Sequence, residues 1–148
     1  MAKTGLDFTV GLYSSPPLAR HWHSQFRPLP ANMKLVEERT WRALLKAGRF
    51  DVVVAHNESN ALDLLTYDTP KLLVCHNRRT FLRETITAGV ENPSELFDRL
   101  LGRLQQSFEF IFISESKRAD YGVSGTVIMP GIDVEEYGGY SGETKEIL

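Results

Sequence analysis

Two histidine–asparagine pairs, His56-Asn57 and His76-Asn77, each stand directly after a short apolar run. An imidazole titrates near neutrality and can donate, accept or transfer a proton, and an amide offers a hydroxylated ligand both a donor and an acceptor. Arg78-Arg79 follow the second pair with guanidinium groups suited to an anionic ligand, or else to a solvated helix start. Ser114-Glu115 ends a third apolar run, Phe110-Ile111-Phe112-Ile113, in the same manner. Either imidazole is suited to hydrogen bonding or proton handling at neutral pH. A strand-end histidine can equally be satisfied by backbone groups, and that structural reading is preferred for His56, whose strand is expected farther from a cleft. His21-Trp22-His23 has a spacing compatible with a metal. No Cys, Asp or further His stands nearby at ligand distance, so it reads as a surface loop and no metal is expected.

The elements that must position these pairs are legible around them. Phe50–Ala55 and Lys71–Cys75 are short runs of mostly β-branched or Leu residues, as in strands buried on both faces of a parallel sheet. Glu58–Leu65 between them is long enough for a two-turn helix, which Tyr67-Asp68-Thr69-Pro70 ends. The two His-Asn pairs then fall at carboxyl ends of parallel strands, the edge where open α/β sheets bind ligands. Leu6–Tyr13 reads as a first strand, closed by Ser14-Ser15-Pro16-Pro17, and Leu18–Met33 as a loop. Leu35–Ala47 is helical, with Trp41, Leu44 and Leu45 on one face and Gly48 as the residue past its end. Another helix opens near Arg78. Asn92-Pro93-Ser94-Glu95 predicts an N-cap, a first-turn proline and a returning carboxylate, followed by a face of Leu96, Phe97, Leu100, Leu101, Leu104 and Phe108. A short helix through Tyr121 and a last strand over Thr126–Met129 complete an α/β fold: a Rossmann-like open sheet of at least five parallel strands with helices on both faces.

Composition excludes several classes. Hydrophobic residues make up 42% and charged residues 24%, ordinary for a globular protein, and no run approaches a bilayer span. The single cysteine, Cys75, forbids an intrachain disulfide and reads as a buried, inert thiol of a cytoplasmic protein. The net charge is −2, and residues 20–49 carry seven Lys/Arg against two Asp/Glu. That bias is too local for a nucleic-acid protein. Interleaved with Trp22, Phe26 and Trp41, it suits peripheral contact with anionic lipid at the inner membrane face through Trp22 and Phe26, with Trp41 read as a core residue and a solvated helix face as the alternative for the charges. No phosphate-binding loop, dinucleotide fingerprint or nucleophile elbow is present. The acidic, glycine-rich stretch from Glu135 to Glu143 reads as a linker, which divides the chain into a domain over 1–133 and the start of a linker over 134–148.

Three motifs carry a family resemblance. Asp51-Val52-Val53-Val54-Ala55-His56 is similar to a D-hydrophobic-H strand, and Pro70-Lys71-Leu72-Leu73-Val74-Cys75-His76-Asn77 to a P-hydrophobic-H strand. Phe110 through Ser116, then Val127-Ile128-Met129-Pro130-Gly131-Ile132-Asp133 to Tyr137, is similar to a V-S-E strand and a V-I-P-x-G-I-D signature. In order and spacing these resemble the amino-terminal domain of the GT-B glycosyltransferases, in particular the retaining group called glycosyl transferase family 4. The chain departs from that pattern at Ser14-Ser15-Pro16-Pro17, where the family has a glycine-rich loop, and at Pro130, where it has Asn. The resemblance implies the acceptor-side half of a metal-independent glycosyltransferase that needs no cofactor and is inactive without a carboxyl-terminal donor domain. Its ligands would be a nucleotide-sugar and a glycan or lipid-linked acceptor. His76 would be the catalytic residue, with Asn77, Arg78, Arg79, Ser114, Glu115, His56 and Asn57 around the substrate. A stand-alone α/β module binding a ligand or a partner protein at the same edge is the alternative.

Overall fold

The computed structural model describes residues 5–13 and 28–131. Over these the protein is an α/β fold of six short strands and five helices. Strands β1 (Phe8–Gly11) and β2 (Met33–Val36) form a parallel two-stranded sheet, Phe8 opposite Met33 and Gly11 opposite Val36. A second sheet has the order β3 (Val53–Ala55), β4 (Lys71–Cys75), β5 (Glu109–Phe112), β6 (Thr126–Val127). Within it β4 runs parallel to β5, with Cys75 opposite Phe112, and β5 runs parallel to β6, with Phe112 opposite Val127. The helices are α1 (Glu38–Lys46), α2 (Glu58–Leu64), α3 (Arg79–Ile86), α4 (Pro93–Ser107) and α5 (Glu115–Tyr121).

Two departures from the sequence expectation stand out. The five-stranded sheet is instead a pair and a quartet of strands, because Phe8–Gly11 pairs with Met33–Val36, a segment assigned above to the loop and the helix start. Helix α1 therefore begins at Glu38, three residues later than Leu35. A four-residue strand abutting a helix has too few positions to show a period of two, so the helical pattern absorbs it. The second departure is at Asn92. It occupies the N-cap position of α4 and Pro93 the first turn, but no side-chain cap bond forms.

The described chain groups into two compact units. Of the described residues, the first comprises 5–13, 28–53 and 63–71. Trp41 and Leu45 are its buried anchors on α1, and the Trp41 indole N–H donates to the Leu12 carbonyl at 3.3 Å. Gly11 lies flat beneath that indole: a Cβ there would stand 2.7 Å from the ring. Gly48 ends α1 with φ +64°. Its N–H donates to Leu45 O and that of Arg49 to Leu44 O, a Schellman closure that satisfies two helix-end carbonyls.

Of the described residues, the second unit comprises 54–62 and 72–131. Its core gathers Ala55, Leu73, Cys75, Phe97, Leu101, Leu104, Phe108, Phe110, Phe112 and Tyr121, all buried. Helix α4 supplies three of these, Phe97, Leu101 and Leu104, since residues three and four apart share one side of a helix, and Phe108 follows as its C-cap. Phe112 meets Tyr121 edge-on, with ring centroids 5.4 Å apart. Gly125 passes so close to β5 that a Cβ would stand 2.6 Å from the Phe110 carbonyl oxygen. Helix α5 opens on the Ser114 hydroxyl, which accepts from Lys117 N, and closes on Gly122 in the left-handed conformation.

Candidate functional site

The parallel register of β4, β5 and β6 places their carboxyl ends along one edge of the sheet. His76 and Asn77 follow β4 there, and Ser114 follows β5. His56 joins them: its Nδ1 lies 3.2 Å from His76 Nε2, with the two rings 18° from parallel. The sequence reading set the His56 strand farther from a cleft, and the structure brings its imidazole beside that of His76. Both histidines are exposed, and among the described residues neither ring has another hydrogen-bond partner. Partial desolvation, and then the neighbouring His76 charge, push the His56 pKa below its ordinary value. The pair thus resists taking a second proton.

The other expected residues divide into those facing this edge and those committed to structure. Asn57 caps α2, its Oδ1 accepting from Asn60 N at 2.8 Å. Arg78 is exposed at the N-cap of α3. Arg79 is a structural tie instead of a free cation. Its guanidinium donates to Asp98 Oδ1 at 2.6 Å and to the Tyr121 carbonyl at 3.2 Å, and its backbone N–H donates to Asp120 Oδ2 at 2.8 Å. These bonds fasten the start of α3 to α4 and α5. With Thr80, Arg83, Ser94, Phe97, Asp98 and Asp120, Arg79 lines a cavity of about 190 Å³. Ser114 Oγ caps α5 and lies 3.0 Å from Ser116 Oγ. Glu115 is exposed and pairs with Arg118 at 2.8 Å.

Beneath the histidines lies a polar cluster that was not singled out from sequence. Glu58, only 2% exposed, accepts a 2.6 Å hydrogen bond from the Tyr121 hydroxyl. Cys75 shares this pocket; burial, then the Glu58 charge, push its thiol up to about 12, so it is an inert thiol as expected. Burial also raises the Glu58 carboxyl above its ordinary range, against the lowering effect of the Tyr121 bond. The signal for Glu58 is its spacing: Glu58, Ala61 and Leu64 fall at i, i+3 and i+6, and all three are buried.

That raised carboxyl has a signed consequence. Between the ordinary carboxylate value and its folded value, the folded protein binds more protons than the unfolded chain. Stability therefore falls as pH rises through that window. His56 contributes the opposite slope in its own window, below about 6.5, where the unfolded chain binds more protons. Glu58→Gln keeps an acceptor for Tyr121 but cannot ionise. Urea denaturation at a series of pH values is expected to show the falling component removed in this variant. An unchanged profile would place its origin elsewhere.

Among the described residues no helix is long and apolar enough to cross a membrane, and no group of three or more metal-ligating side chains occurs. Trp41, one of the aromatics considered for lipid contact, is buried. Trp22, Phe26, the His21-x-His23 pair, Asp133 and the expected linker over 134–148 lie outside the described residues. No family model, curated protein or solved structure matches the chain.

Proposed function

We propose that the chain is the acceptor-side half of a retaining glycosyltransferase, binding a hydroxylated acceptor at the edge where His76, Asn77 and Ser114 emerge. The observation that carries this reading is the arrangement of the family-like motifs. Their strands are neighbours in the sheet in the order of the sequence, and the two motif histidines touch at the carboxyl edge. Transfer from a nucleotide-sugar builds charge at the anomeric carbon and on the leaving diphosphate, which fixed donors and dipoles stabilise. In this reading those donors belong mainly to a carboxyl-terminal donor domain. The commitment of Arg79 to Asp98 and Tyr121 supports that division, since among the described residues it leaves the exposed Arg78 as the neighbouring cation that could meet a phosphate.

Calorimetric titration of the chain with UDP- and GDP-sugars is the test. Weak binding and no transfer are expected, because the phosphates and ribose lack their main partners. Micromolar affinity for any of them would place a complete donor site on this chain and overturn the assignment.

A further inference from the structure

We propose that His56 and His76 form a two-histidine chelate for a divalent transition ion of the Zn²⁺, Ni²⁺ or Cu²⁺ class. The inference concerns metal binding alone and is independent of the transfer reading, in which no metal takes part. Two nitrogens bound to one tetrahedral ion at about 2.0–2.1 Å lie about 3.3 Å apart. Here His56 Nδ1 and His76 Nε2 stand 3.2 Å apart, so the ion requires a tilt of the rings and little separation of them. Both side chains are exposed, and among the described residues neither has another hydrogen-bond partner to hold its ring against that tilt.

A metal takes the neutral imidazole. Imidazole pairs suit Zn²⁺, Cu²⁺ and Ni²⁺, whereas Mg²⁺ and Ca²⁺ take oxygen ligands in larger sets. The strand ends supply the rigidity: His56 follows β3 and His76 follows β4, neighbours in one sheet. With only two protein ligands, the remaining positions are left to water or to a ligand oxygen.

The experiment is calorimetric titration of the full chain with ZnCl₂ and NiCl₂, with MgCl₂ and CaCl₂ in parallel. One saturable transition ion per chain is expected, and no response to Mg²⁺ or Ca²⁺. His56→Ala and His76→Ala should each weaken binding by about 10-fold or more. The double variant His21→Ala/His23→Ala should retain it. Should a variant fold poorly, the unsubstituted chain still decides: paramagnetic Cu²⁺ should broaden the His56 and His76 ring resonances first. Absence of saturable binding, loss of binding in the His21/His23 variant alone, or broadening centred elsewhere would overturn the assignment.

Discussion

Phe112→Ala is expected to destabilise the protein by about 3–5 kcal/mol, the range for emptying a buried aromatic position. Phe112 is fully buried at the carboxyl end of β5, where it meets Tyr121 edge-on and Phe110 at 6.1 Å. It also accepts at its carbonyl from Ile128 N at 2.8 Å, so its backbone helps hold the chain beyond β6. Truncation removes the ring contacts and opens a cavity that β5, fixed on both sides by parallel neighbours, cannot collapse to fill. For a domain holding about 5–15 kcal/mol in total, that is a large share, and a loss on the order of 10 °C in Tm follows. Tyr121→Phe separates the ring from the hydroxyl. It keeps the aromatic contact and leaves Glu58 without its donor, at about 1–3 kcal/mol. Chemical denaturation of both variants is the measurement. A loss under about 1 kcal/mol for Phe112→Ala would mean that β5 is not the centre of this core.

The strands flanking the candidate site were readable in the sequence for a physical reason. A central strand in a parallel sheet is apolar on both faces, so Leu72–Cys75 and Phe110–Ile113 appear as unbroken runs between polar stops. The helix over 93–107 was readable because a proline in the first turn and a 15-residue apolar face point the same way. What failed was local and short. Met33–Val36 exists as a strand because Phe8–Gly11 lies beside it, a pairing between distant segments that no window of sequence contains. The Asn92 cap failed similarly, because its backbone, at φ −121° and ψ 71°, lies outside the usual extended cap conformation.

The site shows the same division. Histidines at strand ends were visible as chemistry. Their mutual contact depends on β3 and β4 being neighbours and on where each strand stops, which are properties of the sheet. The expected role of Arg79 was overtaken by partners 19 and 42 residues away, Asp98 and Tyr121, which spacing along one helix cannot reveal. Glu58 went unremarked because a glutamate at a helix start is ordinarily a favourable surface charge near the dipole. Its burial comes from Tyr121, 63 residues away, reaching its carboxylate.

His76→Ala, in a protein that joins this chain to a donor-binding half, is expected to lower kcat by about 10²-fold or more. His56 Nδ1 occupies the Nε2 side of His76, which leaves His76 Nδ1 as the nitrogen open to an acceptor hydroxyl. A proton taken at Nδ1 can be offset by moving the Nε2 proton toward His56, so the pair accepts it without gathering two charges. His56→Ala removes only that second step and should lower kcat less than His76→Ala does. His76→Gln retains hydrogen bonding but cannot titrate, which separates positioning from proton transfer. If His76 handles the proton, His76→Gln resembles His76→Ala in kcat and leaves KM closer to the unsubstituted value. If it only positions the acceptor, His76→Gln recovers most of the rate. Steady-state kinetics across pH 5–9 reads both parameters. An undiminished kcat in a folded His76→Ala protein would remove this residue from the chemistry and leave it as a ligand contact or a satisfied strand end.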